Sequence, residues 1–173
     1  MIRPFFTFVP GLLGAAVGCS SPPAPASDGG SCTPFASTAD LSGGVSFSVA
    51  VMPILQHSCG LGGQSCHGAP SVTASGRPYL GSPAGGTTAA LVLQQIVGVL
   101  STEDTSMMLV APGDPGHSFL MHKIDGDQCT LAPQCKGSLF PDCGQQMPWN
   151  SGTIDMTSRD AIRAWINQGA QNN

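Results

Sequence analysis

The residues best placed to do chemistry are two cysteines and a histidine in one short stretch. Six residues separate Cys59 from Cys66, and His67 follows Cys66 directly. A Cys-His pair ends the C-x-x-C-H motif, in which the cysteines attach a c-type haem and the histidine binds its iron. Here Gly63 occupies the position of the first cysteine of that motif. The spacing therefore indicates a modified haem site, a disulfide or a metal site.

Three bonding patterns are compatible with the two cysteines. Both could form thioethers to haem across an enlarged loop, where Gly60, Gly62 and Gly63 would supply backbone freedom. Cys66 alone could be attached, which leaves an odd number of cysteines for disulfides. Alternatively, Cys59 and Cys66 could form a mutual disulfide, with no covalent haem, because an oxidising compartment favours disulfides.

Other site chemistries are disfavoured. A zinc site would combine this stretch with one further cysteine. The candidate ligands are Cys59, Cys66, His67 and one of Cys129, Cys135 or Cys143. Structural zinc sites use more closely spaced cysteine pairs, and an oxidising compartment diverts thiols to disulfides. A serine hydrolase is disfavoured because the chain has no G-x-S-x-G nucleophile elbow.

The amino terminus has the pattern of a secretory signal. Arg3 precedes a broken apolar run over residues 5–17, and small residues then lead to Cys19. The run is too short for a transmembrane helix. Because Ala-Val-Gly-Cys resembles the bacterial lipobox, we expect residues 1–18 to be a lipoprotein signal peptide and Cys19 to be lipidated.

These features predict a protein of the cell envelope, anchored through lipid at the periplasmic side or the outer membrane. Residues 19–43 are predicted to be a flexible tether, because they are rich in Ser, Pro, Ala and Gly and poor in apolar bulk. Residues 44–173 are predicted to form one domain. Six cysteines remain after Cys19, an even number that suits disulfides. We expect Cys32 to pin its segment to the domain, and Cys129, Cys135 and Cys143 to hold the long loop over residues 125–146.

The composition limits the possible partners and the fold. Charged residues make up 9% of the chain, the formal net charge is −4, and Lys and Arg do not cluster. Nucleic-acid binding therefore has no electrostatic support. The 23 glycines and 15 prolines predict short elements joined by long loops.

Apolar residues at helical spacing predict a mainly α fold with four short helices and long Gly/Pro-rich, Cys-containing loops. The predicted helices cover residues 46–58, 89–99, 118–124 and 157–168. Pro53 requires the first helix to begin near Val51 or to be kinked. The second should be buried nearly all round. Thr87 or Thr88, Asp114 and Thr157 are the predicted caps, and Gly169 should end the last helix. Trp165 should lie in the core and pack on the first helix.

Several short pieces, taken in order, resemble one known family. They are VMPIL at residues 51–55, CHG at 66–68, APGDP at 111–115 with SFL at 118–120, Met147-Pro148, and IRAWI at 162–166 with Gly169-Ala170. The set is similar to the planctomycete-type cytochrome c domains and covers most of residues 47–170. The missing first cysteine is the main departure.

The resemblance implies a cytochrome c-like fold that binds haem c and carries electrons to a redox partner protein, without acting as an enzyme. Cys59 and Cys66 would attach the haem, His67 would be the proximal iron ligand, and Met147 the distal one. His122 is the best substitute for Met147, and Trp149 or Arg77 could contact the haem propionates. The alternative is a haem-less, disulfide-stabilised surface lipoprotein that serves as a binding or structural module.

Overall fold

The computed structural model describes residues 32–62, 66–135 and 143–173. The predicted signal peptide, Cys19 and Gly63 lie outside these residues. Within them the chain is mainly α-helical, with isolated β-bridges and no strand, which confirms the mainly α part of the predicted fold class. None of the described helices is long and apolar enough to cross a membrane.

Four short α-helices form the frame of the domain. They are α1 (Met52–Cys59), α2 (Ala89–Ile96), α3 (Phe119–Asp125) and α4 (Met156–Asn167). A π-helical segment, Phe47–Val51, runs directly into α1. Single 3₁₀ turns at Pro70–Ser75, Pro115–His117 and Gln128–Leu131 interrupt the loops. The elements are short and the connections long, as the Gly and Pro content predicts.

The π-helical segment explains how the first helix accommodates Pro53. Before Met52 the backbone makes wider hydrogen bonds, including one from the Val51 amide to the Ser46 carbonyl. The α-helix then begins at Met52, so Pro53 falls in its first turn. A proline costs little there, because the first amides of a helix have no intrahelical acceptor.

The second helix is less buried than its apolar composition predicts. Only Val92 and Ile96 are buried, whereas Leu91 is 48% exposed. The helix also ends at Ile96 rather than Val99. An apolar composition does not show which face of a helix is buried, and only one face of α2 contacts the core. Thr88 caps it as expected, with its hydroxyl accepting from the Leu91 amide.

The caps of the later helices differ by a few residues from the prediction. Asp114 caps the 3₁₀ turn that precedes α3, by accepting from the His117 amide at 3.1 Å. Asp155, not Thr157, caps α4, and its carboxylate accepts from the Ser158 amide at 2.9 Å. The shift follows from α4 starting at Met156, since the cap must precede the first helical residue. Gly169 has a left-handed backbone just after α4, as predicted.

Aromatic packing joins the two ends of the domain. Trp165 on α4 is buried, and its ring centroid lies 4.9 Å from that of Phe47 in the π-helical segment. The indole NH donates to the Gln171 carbonyl at 2.9 Å, so the buried polar atom is satisfied. The prediction that Trp165 packs in the core against the first helix is confirmed.

A buried ionic cluster joins α3 to α4. Asp125, at the end of α3, accepts from Arg159 at 3.1 Å and from Arg163 at 2.5 Å. Burial raises the pKa of Asp125, and the two guanidinium groups oppose that rise. Arg163 also contacts Asp160 at 2.8 Å. The ring of Phe35 lies over both guanidinium groups, 4.6 and 5.1 Å from their centres.

Disulfides and hydrogen bonds fasten the irregular segments. The described part of the predicted tether is held by a Cys32–Cys129 disulfide and by the Phe35 amide, which donates to Asp127 at 2.7 Å. A second disulfide joins Cys135 to Cys143. The expectation that Cys32 pins its segment is confirmed, as is the expectation that cysteines hold the loop over residues 125–146.

The ionic cluster makes a prediction about stability. Asp125→Ala should lower the free energy of unfolding by about 3 kcal/mol, because it leaves the buried Arg159 guanidinium without a carboxylate and Arg163 with Asp160 alone. Asp160→Ala is the matched control, since Arg163 keeps Asp125 and the loss should stay below about 1 kcal/mol. Denaturant unfolding followed by tryptophan fluorescence measures both. Equal losses in the two variants would contradict the central role of Asp125.

The pair of His122 and Asp127 predicts a pH-dependent contribution to stability. His122 Nδ1 lies 2.8 Å from the Asp127 carboxylate. That hydrogen bond raises the pKa of His122. Burial alone would raise the pKa of Asp127, but the hydrogen bonds from His122 and the Phe35 amide hold it below its usual value.

The signs of the two shifts define the pH window. The His122 contribution is complete below the ordinary imidazole pKa and is lost as pH rises through the raised value. The Asp127 contribution is complete above the ordinary carboxyl pKa and is lost as pH falls through the lowered value. His122→Gln should therefore cost most near about pH 5, roughly 1 kcal/mol, and less above about pH 7. His117→Gln is the control, because its contact with Asp114 is exposed to water, which should keep its cost below that of His122→Gln. A flat profile for His122→Gln would refute the assignment.

Candidate functional site

The backbone around His67 fixes the position of its imidazole. The His67 amide donates to the Cys59 carbonyl at 3.1 Å, and its carbonyl accepts from the Leu80 amide at 2.9 Å. The Nδ1 atom lies 2.8 Å from the Pro78 carbonyl. A carbonyl can only accept, so Nδ1 carries the proton and the lone pair of the neutral ring is on Nε2.

The environment also keeps His67 neutral. Burial is the largest cause that lowers the pKa of His67, and the positive charges of Arg77 and Lys123 lower it further. The hydrogen bond to Pro78 opposes this shift without reversing it. A neutral imidazole with an unprotonated Nε2 is the form that a metal ligand needs, and no described residue hydrogen-bonds to that atom.

The two cysteines of the stretch are in different states. Cys59 ends α1 as a free thiol that is 8% exposed, and burial raises its pKa to about 12. Cys66 is disulfide-bonded. The mutual Cys59–Cys66 disulfide is therefore not formed in this structure. Thioether attachment of haem at Cys66 would first require that sulfur as a thiol.

The zinc hypothesis lacks its fourth ligand. The three cysteines that could complete the site are all used in disulfides: Cys129, Cys135 and Cys143. Across the described ranges no group of three or more His, Cys, Asp or Glu residues is arranged to hold a metal ion. A site with one protein nitrogen and one sulfur ligand, as in a cytochrome, does not need such a group.

The loop glycines are needed for close packing. Gly60 has an ordinary φ of −91°, but a Cβ there would collide with the Gly81 carbonyl oxygen and lie 2.7 Å from that of Gln56. A Cβ on Gly62 would collide with the sulfur of Cys66. The expected backbone freedom is therefore not the role of Gly60. Because Gly60 has no side chain, the loop can pack closely against the backbone carbonyl groups of Gln56 in α1 and of Gly81.

Met147 is held by its backbone to α3. Its amide donates to the Lys123 carbonyl at 2.7 Å, and its peptide bond to Pro148 is cis. The Lys123 ammonium acts electrostatically on His67. The segment that carries Met147 is thus attached to Lys123, whose positive charge contributes to the lowered pKa of His67.

Other predicted contributors have different partners. His122 uses both ring nitrogens, Nδ1 with Asp127 and Nε2 with the Gly116 carbonyl at 3.1 Å. It lines a cavity with Phe35 and Arg163, so it is poorly suited to replace Met147. The Trp149 indole donates to Gln145 at 2.8 Å.

Two residues of the site were not predicted from the sequence. Pro78 acts through its carbonyl, which every residue has, so no side-chain pattern could identify it. Lys123 had a usable signal, because it lies four residues after Phe119 on the buried side of α3. A lysine at a core position requires a partner.

The free cysteine makes a testable prediction. In protein produced without haem attachment, Cys59 should resist iodoacetamide under native conditions at about pH 8, because burial removes both access and thiolate character. After denaturation without reduction, the peptide that carries Cys59 should be alkylated, and those with Cys135 and Cys143 should not. Rapid native alkylation of Cys59 would contradict its burial.

No protein-family model, curated protein sequence or solved structure matches the chain.

Proposed function

We propose that this protein is an extracytoplasmic, membrane-anchored, c-type cytochrome-like lipoprotein that binds haem and transfers electrons. The observation that carries the proposal is the hydrogen bond from His67 Nδ1 to the Pro78 carbonyl. It sets the tautomer and orients the ring, and it leaves Nε2 as the donor atom for iron. A partly buried ring whose pKa is lowered stays in this neutral form.

The donor set fits a haem of this type. When bound, haem c supplies a reversible one-electron iron couple. His67 would hold the iron from one side, and Met147 is the proposed distal ligand. Cys59 and Cys66 would be the attachment points, both as thiols. The chain itself would bind and orient the group, limit its contact with water and make no bonds in a substrate, so it is not proposed to be an enzyme.

The cellular setting follows from the amino-terminal pattern. Lipid on Cys19 would anchor the domain at the periplasmic side or the outer membrane. A separate redox partner protein would give or take the electron. Cys32 and Phe35 are fastened to Cys129 and Asp127, which follow α3, so the described part of the predicted tether is held to the domain.

A second candidate is favoured by one observation, the disulfide bond of Cys66. With its sulfur oxidised, together with the Cys32–Cys129 and Cys135–Cys143 bonds, the chain would be a disulfide-stabilised module on the same fold. It would then have no haem, and it would act as a surface binding or structural protein.

Expression in a host with haem-attachment machinery distinguishes the two. We expect a Soret band and a mass increase of one haem for the wild type. His67→Ala should lose most of the absorbance, because the iron loses its proximal ligand. His57→Ala is the matched control: its Nδ1 also meets a backbone carbonyl, that of Pro53 at 2.9 Å, but its side chain is exposed. It should behave as wild type.

The cysteine variants test the attachment. Cys66→Ala and Cys59→Ala should each leave haem attached by one bond, and the double variant should have no covalent haem. A wild-type protein with neither a Soret band nor haem mass, and with Cys66 in a disulfide on non-reducing peptide mapping, would overturn the cytochrome proposal in favour of the haem-less module.

A further inference from the structure

Lys123 is an unusual residue in this fold because it carries its charge inside the domain. It lies on α3 and is 6% exposed. Its ammonium donates to the Cys143 carbonyl at 2.7 Å and lies 3.4 Å from the Glu103 carboxylate. The ring of Phe119 is 5.7 Å away, within the range of a cation–π contact. A lysine is buried only when partners of this kind compensate its lost hydration.

The same residue holds both ends of the segment that carries Met147. The side chain binds the Cys143 carbonyl, and the backbone carbonyl of Lys123 accepts from the Met147 amide at 2.7 Å. Between these points, Gln128 donates to the Gly144 carbonyl at 3.3 Å. The Cys143–Met147 segment is therefore fixed at three carbonyl or amide groups, two of them bound by Lys123 of α3 and one by Gln128 of the following 3₁₀ turn.

The turn at the start of this segment needs such support. Cys143 has a positive φ of 65°, which non-glycine residues rarely adopt, and Gly144 follows with φ 60°. The Cys135–Cys143 disulfide fixes the sulfur of Cys143. The Lys123 ammonium fixes the Cys143 carbonyl. The side chain and the backbone of Cys143 are therefore both held in place where the chain leaves the turn.

We propose that Lys123 is a positioning residue of the site, which holds the Cys143–Met147 segment in place through its ammonium and its carbonyl and adds a buried positive charge beside the iron-binding region. This inference rests on the proposed haem function. The physical basis is that a nearby cation disfavours the oxidised, more positive iron, so it raises the reduction potential. The hydrogen bond from the Met147 amide to the Lys123 carbonyl places Lys123 at the segment that carries the proposed distal ligand.

The test uses Lys123→Met, which keeps the apolar stem and removes both the charge and the donor. In the haem-bearing protein we expect a lower midpoint potential and a weaker sulfur-to-iron charge-transfer band. In the haem-free protein we expect amide exchange at Met147 to be about tenfold faster, because a charged hydrogen bond that fixes its segment is lost. Lys123→Arg, which restores charge and donor, should return all three properties toward wild type.

A second variant covers the case in which Lys123→Met does not fold. Lys123→Gln keeps a neutral donor, so the midpoint potential should fall while the charge-transfer band is largely kept. Unchanged potential, band and exchange in a folded, haem-bearing variant would overturn the inference and leave the proposed function intact. A wild type without haem would overturn the proposed function, and the exchange measurement would still decide whether Lys123 holds the segment.

Discussion

The ion pairs between the Asp125 carboxylate and two arginines of α4 hold α3 against α4, and the rest of the domain depends on them. Arg159 and Arg163 both contact Asp125 at the end of α3, where an unpaired charge would be costly because the side chains are buried. Two residues earlier on the same short helix, Lys123 holds the Cys143–Met147 segment. The position of α3 against α4 therefore decides where that segment lies, although Asp125 itself contacts neither Met147 nor His67 through any described bond.

Covalent and ionic fastening replaces regular secondary structure in much of the chain. The helices are too short to be stable alone, since isolated helices of this length are marginal in water. The loops between them are kept in place by two described disulfides, by Phe35 over the arginines, and by side chains that bind loop carbonyls. A small core around Phe47 and Trp165 then closes the domain. The result is a frame that holds one histidine neutral and oriented.

The two halves of the candidate site depend on different kinds of contact. His67 is set by local backbone bonds to Cys59, Pro78 and Leu80, within about one loop of its own position. Met147 is set by α3, which lies more than twenty residues earlier. Local hydrogen bonds set the tautomer of His67. Only contacts between residues far apart in the chain can bring Met147 near His67, so the predicted role of Met147 depends on α3 and on Lys123.

Several features could be predicted from the residues alone: the mainly α class, the approximate positions of the four helices, a threonine cap on α2, the core position of Trp165 and the use of cysteines to hold loops. These follow from short-range periodicity, capping chemistry and composition. Other features became evident only from the folded chain: the pairing of Cys32 with Cys129, the free state of Cys59, the single buried face of α2, and the roles of Pro78 and Lys123. Disulfide partners, burial and backbone carbonyl contacts depend on residues far apart in the chain, and short-range patterns contain no information about them.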